Sequence, residues 1–94
     1  MPDTSAVSHD PNTGRFEIRT DEGTALLTYM RHGSDLEMMH TEVPEALEGQ
    51  GYGATLAEAA LDYARQQGAK VRPSCPFVAA YIQRHPAYED LVAD

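Results

Sequence analysis

Three glycines in alternate positions, Gly49, Gly51 and Gly53, lie between a segment with strand character and a segment with helical character. Because glycine has no Cβ, consecutive backbone amides in such a turn can point toward one ligand. A helix that begins directly after the turn adds free N–H groups and the positive end of its dipole. We therefore predict a phosphate or pyrophosphate site at this turn. A glycine-rich turn without any ligand is the alternative.

The glycine spacing fits neither of two common nucleotide-binding motifs. A dinucleotide-binding unit has its glycines at the end of the strand and a second parallel half after them, but only about 40 residues follow Gly53. No Gly-Lys-Ser or Gly-Lys-Thr triplet is present, which excludes a P-loop.

Cys75 is the second residue that could do chemistry, because it directly precedes Pro76 and is predicted to be the N-cap of a helix. Helix amides at such a position favour an anionic sulfur, so one interpretation is a reactive thiol at a ligand site. A small buried hydrophobic residue is the equal alternative. His40 lies in a predicted strand beside the one that leads to Cys75, so the two side chains could meet, although a purely structural histidine is the simpler interpretation.

Other site chemistries find little support. His85 falls at the far end of the helix that Cys75 begins, roughly 13–15 Å from it at the helical rise, so it cannot pair with the thiol. One cysteine and four dispersed histidines show no paired ligand spacing, and we predict no metal site.

The composition restricts the class of protein. The chain has 94 residues, which suits one domain, and its net charge of −8 argues against nucleic-acid binding. An acidic surface either attracts cationic partners such as amines or serves solubility alone. No apolar segment reaches the roughly 20 residues of a membrane span, no signal-peptide pattern opens the chain, and a single cysteine is typical of a cytoplasmic protein.

Hydrophobic periodicity predicts an α/β architecture. Residues 1–14 are expected to be a flexible leader and residues 15–94 one domain. Strands at 15–20, 24–31 and 35–43 form an antiparallel meander; a helix at 55–67 follows, capped by Gly68, then a parallel fourth strand at 70–72 and a second helix at 76–84. The predicted core consists of Phe16, Ile18, Leu26, Leu56, Ala60, Leu61, Val71, Phe77 and Ile82.

Thr41, Glu42 and Val43 end the third predicted strand just before the glycine turn. If the fourth strand pairs with the third at one end only, the two strands diverge and leave free backbone groups. Open α/β sheets bind ligands in such a cleft at the carboxyl ends of their strands. An extended ligand that carries amides could pair there like an added strand.

Three blocks in this order resemble the minimal, stand-alone branch of the GNAT superfamily of N-acetyltransferases. The blocks are HTEVP at residues 40–44, GQGYG at 49–53 leading into LAEAALDYA at 56–64, and PSCPFVAAYI at 73–82 followed by HPAY at 85–88. The resemblance covers about residues 15–92 and implies a reduced acyl-CoA N-acyltransferase fold. It also implies acetyl-CoA as cosubstrate, with a cofactor-binding set of Thr41, Val43, Gly49, Gln50, Gly51, Tyr52, Gly53, Ala54, Phe77 and Tyr81.

Within that set, the resemblance assigns the pyrophosphate to the amides of residues 50–54 and the pantetheine arm to the end of the third strand. It places Cys75 near the acetyl thioester. The chain departs from the superfamily at Glu48, where Arg or Gln is usual, and it lacks the N-terminal helix pair and the last two strands of larger members.

The function implied is transfer of an acetyl group from acetyl-CoA to a small-molecule or protein amine. In one route the neutral amine attacks directly while Glu42 or His40 takes its proton. In the other, the acetyl group passes through Cys75. The competing hypothesis is a CoA-binding or interaction module without turnover, suggested by Glu48 and the short acceptor region.

Overall fold

A five-stranded mixed sheet with sequential strand order forms the framework of the protein. The computed structural model describes residues 2–93. The strands are β1 (Ser8–Asp10), β2 (Arg15–Thr20), β3 (Gly23–His32), β4 (Asp35–Glu42) and β5 (Lys70–Pro73), and the helices are α1 (Tyr52–Gln66) and α2 (Pro76–Arg84). Short 3-10 helices span Thr4–Ala6, Glu45–Leu47 and Pro86–Leu91. No helix within residues 2–93 combines the length and the hydropathy that crossing a membrane requires.

The antiparallel meander is confirmed and is longer than predicted. β2, β3 and β4 pair in antiparallel order, and β1 adds a further antiparallel strand through the pair His9 and Phe16. The prediction that residues 1–14 are a flexible leader without regular structure is therefore wrong for Ser8–Asp10. The imidazole of His9 stacks on the Phe16 ring at 4.0 Å between centroids, a contact that no hydrophobic period in the leader revealed.

A bulge in β4 changes which side chains face the core. Thr28 pairs with His40 while Tyr29 pairs with Met38, so Met39 is left unpaired. Leu36 and Met38 are buried before the bulge. After it, Thr41 faces the core side because it pairs with the buried Leu27, and its neighbours His40 and Glu42 fall on the opposite, exposed face.

Helix α1 connects β4 to the parallel strand β5, as predicted. It begins at Tyr52, three residues earlier than predicted, because Gly51 adopts the N-cap position with φ 85°. The helix ends at Gln66, and Gly68, with φ 65°, caps its C-terminus as predicted. The Ala69 amide donates to the Ala64 carbonyl at 2.9 Å and the Gly68 amide to Arg65 at 3.1 Å, which together close a Schellman motif.

Seven of the nine predicted core residues are buried, and two are not. Leu26 is only half-buried because it alternates with Ala25 and Leu27, which are fully buried on the helix side of β3. A continuous apolar segment gives no indication of which residues face inward, which explains this error. Phe77 is 43% exposed and lies at a cleft rather than in the core.

Candidate cofactor cleft and active site

Strands β4 and β5 diverge as the sequence suggested. β5 pairs with β4 only from Asp35 to Met38. The last link is the Cys75 amide, which donates to the Met38 carbonyl at 2.9 Å. β4 then continues to Glu42 with no β5 partner, so an open edge faces the start of α2.

A cleft of about 570 Å³ occupies this divergence. Its wall combines the end of β4, the glycine turn, the first turn of α1 and one aromatic side chain of α2. The lining residues are Thr41, Glu42, Val43, Leu47, Glu48, Gly49, Gly51, Tyr52, Gly53, Ala54 and Phe77. Eight of the ten predicted cofactor-binding residues are among them; Gln50 and Tyr81 lie beside the cleft in adjoining pockets.

The glycine turn has the geometry that an anion requires. Buried Leu47 anchors it to the core, and the Gln50 side-chain amide donates to the Ala46 carbonyl at 3.1 Å. Gly49 and Gly51 have positive φ angles of 78° and 85°. The first intrahelical bond runs from the Thr55 amide to the Gly51 carbonyl, 3.0 Å, so the three amides before Thr55 have no acceptor within the helix. These amides and the cleft beside them fit a pyrophosphate group.

Gly53 allows an aromatic side chain to approach the backbone of α1 closely. A Cβ built at this position would lie 2.7 Å from Cζ of Phe77. The absence of a side chain at Gly53 therefore lets the Phe77 ring of α2 lie against the first turn of α1. This contact narrows the cleft at the point where its two helical walls meet.

A second opening on the other side of the glycine turn has no counterpart in the predictions. It measures about 650 Å³ and is lined by Pro2 together with residues 49–52. The Thr55 hydroxyl, which is buried, donates to the Pro2 carbonyl at 3.0 Å. The N-terminal segment thus packs beside the predicted phosphate site, and the signal missed in the sequence was a buried threonine in the first turn of α1.

Cys75 is the N-cap residue of α2, as predicted, and is 4% exposed. Its sulfur lies 3.3 Å from the Thr41 hydroxyl oxygen, so this pair connects the free end of β4 to the start of α2. The thiol belongs to the hydrophobic core cluster and not to the residues that line the cleft.

His40 and Glu42 lie together on the exposed face of β4. The imidazole Nε2 is 3.4 Å from a Glu42 carboxylate oxygen, and both side chains are more than 60% exposed, at 62% and 66%. Glu42 also borders the cleft, whereas His40 does not. Because Thr41 contacts Cys75 from the other face, the structure does not bring His40 and Cys75 together.

Tyr81 lies in a small pocket of about 170 Å³ that shares Ala54 and Phe77 with the cleft. Its ring stacks on His85 with 4.0 Å between centroids. Burial raises the pKa of the Tyr81 hydroxyl above 10, and the nearby carboxylates of Glu58 and Asp62 raise it further.

Glu48 lines the cleft, and no Lys or Arg side chain between residues 2 and 93 comes within 4.0 Å of its carboxylate. Glu48 therefore places a carboxylate without a Lys or Arg partner, among the residues that the structure describes, beside the predicted phosphate site. Over the same described range, no three His, Cys, Asp or Glu side chains are arranged to hold a metal ion.

Comparisons with known proteins agree with this geometry. Residues 15–91 match the family profile described as GCN5-related N-acetyl-transferase. Protein NATD1 of Mus musculus is 32% identical over 83 residues, which cover 85% of this chain and 76% of the mouse protein. Protein NATD1 of Homo sapiens is likewise 32% identical, with coverage of 85% and 74%.

A solved structure has the same fold. The NMR solution structure of a GCN5-like protein from Staphylococcus aureus superposes with a TM-score of 0.73 and 28% sequence identity, over 93% of this chain and 86% of the other. The profile match alone extends over most of the chain and includes the glycine turn, the diverging strands and both helices. The chain therefore belongs to the GCN5-related N-acetyltransferase family.

Proposed function

We propose that this protein transfers an acetyl group from acetyl-CoA to an amine. The observation that carries the proposal is the continuity of one cleft from the free amides of α1 to the unpaired end of β4. An anionic group and an extended amide chain are the two parts of coenzyme A that such a surface would bind. When bound, acetyl-CoA supplies a thioester carbonyl that an amine can attack, with the CoA thiol as leaving group.

The chain's own residues divide into three roles in this proposal. The amides of residues 52–54 and the preceding glycine turn bind the pyrophosphate. The free backbone of Thr41 and Val43 orients the pantetheine amides, and Phe77 excludes water from one side of the cleft. The lining residues of the cleft and the end of β5 pairing at Met38 support these roles.

Glu42 is the proposed general base, with His40 as its partner. An attacking amine must lose a proton, and a carboxylate at the border of the cleft is placed to accept it directly or through one water. The His40 imidazole, 3.4 Å away, would pass that proton to solvent because it is exposed. Direct attack is favoured over transfer through Cys75, since the thiol is buried and contacts Thr41.

Titration and turnover test the proposal together. Backbone amide shifts followed during addition of CoA should move first at residues 50–54, and a panel of amines should then release free CoA thiol from acetyl-CoA. Glu42→Gln should lower kcat by about 10²-fold or more with little change in CoA affinity. No binding at millimolar CoA, or shifts confined to another region, would refute the proposal.

The second candidate is a CoA-binding module without turnover, and Glu48 is the observation that favours it. An unpaired carboxylate near a pyrophosphate should cost affinity. Glu48→Arg should therefore tighten CoA binding, with the larger gain at low salt. Glu45→Arg is the matched control, because Glu45 is exposed in the same loop but does not line the cleft. A module would bind CoA in these assays and release no thiol with any amine.

A further inference from the structure

Two of the seven basic side chains stand apart from the rest. Arg15 and Arg19 pair with Glu17, Arg65 pairs with Asp90, Arg72 pairs with Asp35, and Lys70 donates to the Asp90 carbonyl. Arg31 and Arg84 have no carboxylate within 4.0 Å in the part of the chain from residue 2 to residue 93. In a chain with a net charge of −8, an exposed guanidinium without a carboxylate is available to an anionic ligand.

Arg84 is the one that adjoins the cofactor cleft. It lies on the last turn of α2 and lines the 170 Å³ pocket with Ala54, Phe77, Tyr81 and His85. Ala54 and Phe77 belong to both cavities. A ligand whose pyrophosphate sits on the first turn of α1 therefore has this pocket directly beside it.

The polar groups around the pocket are the nitrogen donors of Arg84 and His85 and two carboxylates that act on Tyr81. The Nδ1 of His85 lies 2.9 Å from the Tyr81 carbonyl oxygen, so the Nδ1–H group donates a hydrogen bond to that carbonyl. The other ring nitrogen, Nε2, takes no part in this hydrogen bond. The carboxylates that act on the Tyr81 hydroxyl are Glu58 and Asp62. Asp62 accepts a hydrogen bond from the Tyr88 hydroxyl at 2.9 Å, and neither carboxylate forms an ion pair with Arg84 or His85.

We propose that Arg84, with His85 beside it, forms a subsite for the 3′-phosphate of the coenzyme A ribose. A phosphomonoester is a compact, doubly charged anion, and a guanidinium donates two parallel hydrogen bonds to such a group. The subsite makes the protein select intact coenzyme A over its 3′-dephospho form. This inference rests on the proposed function, because it requires coenzyme A as the ligand of the cleft.

Calorimetric titration with CoA and with 3′-dephospho-CoA tests the subsite without any need for an acceptor. The wild-type protein should bind CoA about tenfold more tightly than 3′-dephospho-CoA, the usual contribution of one charge-assisted contact. Arg84→Gln should bring the two affinities to within about twofold by weakening CoA alone. Arg31→Gln is the matched control, because Arg31 is an equally exposed, unpaired arginine and lines a separate cavity.

The outcomes separate the subsite from the proposed function. Equal wild-type affinities for the two ligands would overturn the subsite and leave the proposed function standing. A loss of selectivity in Arg31→Gln as large as in Arg84→Gln would also overturn it, since net charge alone would then explain the effect. If neither ligand binds the wild-type protein, the proposed function fails and the subsite fails with it. Amide spectra of both variants verify that the fold is intact.

Discussion

Cys75 and Thr41 form the contact on which the geometry of the cleft depends most directly. Their side chains meet at 3.3 Å across the gap between β4 and α2, beyond the last backbone link, in which the Cys75 amide donates to the Met38 carbonyl. A buried thiol in this place has a structural role whether or not it takes part in chemistry. The direct-attack route and the route through an acetyl-cysteine therefore make different predictions for its removal.

Cys75→Ala is expected to fold, because one small buried side chain leaves little cavity, with a cost of about 1–2 kcal/mol. Under direct attack, turnover should stay within about threefold of wild type, because the proposed base, Glu42, is untouched. Steady-state kinetics and urea unfolding measure the two effects, and Thr41→Val removes the same contact from the other side as a control. A fall in kcat by orders of magnitude at constant CoA affinity would instead establish the cysteine as nucleophile.

Gly51 carries the second residue-scale prediction, since its φ of 85° is one that side chains rarely adopt. Gly51→Ala should cost about 1–2 kcal/mol of stability and should also weaken CoA binding, because the N-cap and the amides after it shift together. Gly68→Ala is the matched control: its φ is 65°, it lies at the other end of α1, and nothing stands within 4 Å of an added Cβ. Equal CoA affinity in both variants would show that the turn does not contact the ligand.

At the scale of elements, the sheet is organised by two features that are not periodic. The bulge at Met39 turns Thr41 toward the core and sends His40 and Glu42 to the exposed face. Strand β1 then covers the edge of β2, where His9 packs against an aromatic cluster of Phe16, Tyr29 and Tyr63. The Nε2 of His9 is 2.5 Å from the Tyr29 hydroxyl.

This packing predicts a pH dependence of stability. Burial lowers the pKa of His9 below its ordinary value of 6.5, with Asp10 opposing the shift. Because the pKa of His9 is lower in the folded protein, the unfolded chain takes up the proton first as the pH falls. The contribution of His9 to folding stability is therefore fully present above pH 6.5 and is lost as the pH falls through the pKa of the folded state. Urea unfolding between pH 7 and about pH 5 should show this loss, above the range in which carboxylates titrate.

The variant His9→Phe keeps an aromatic ring on Phe16 but cannot take up a proton, so its stability should change less over this pH range. His40→Gln is the control, because it removes an imidazole that is largely exposed and lies outside the aromatic cluster. An unchanged pH slope in His9→Phe would mean that another group causes the loss. Burial also raises the pKa of the Tyr29 hydroxyl from 10 to about 12. The contribution of this hydroxyl to folding stability is therefore fully present below pH 10 and is lost as the pH rises through about 12.

At the scale of the whole molecule, the net charge of −8 opposes the approach of an anionic cosubstrate. Long-range repulsion is screened as the Debye length falls from about 30 Å at 0.01 M salt to about 8 Å at 0.15 M. The association rate of CoA, measured by stopped flow, should therefore increase with salt over this range. Uncharged pantetheine is the matched ligand, and its binding should not respond. A CoA association rate that falls with salt would show that local cations such as Arg84 dominate the approach.

Local signals in the sequence were enough to predict the order of the elements from β2 onward and most of the residues that line the cleft. Turns, a helix cap at Gly68 and the alternation of apolar residues are local signals, and so are the glycines of the predicted phosphate site. The divergence of the last two strands was conditional on pairing at one end only, and the structure meets that condition, because β5 pairs with β4 from Asp35 to Met38. The local signals depend on a few adjacent residues, which is why they could be read without a structure.

The faces on which the candidate site residues lie depend on contacts between segments that are distant in the chain. The bulge at Met39 depends on pairing with β3. This shift of one residue in the register turns the His40 side chain away from Cys75 and turns the Thr41 side chain toward Cys75. The burial of Cys75, the exposure of Phe77 and the inclusion of β1 in the sheet likewise arise from contacts between segments far apart in the chain. Local periodicity carries no information about such contacts, because the free energy that selects them comes from packing between elements.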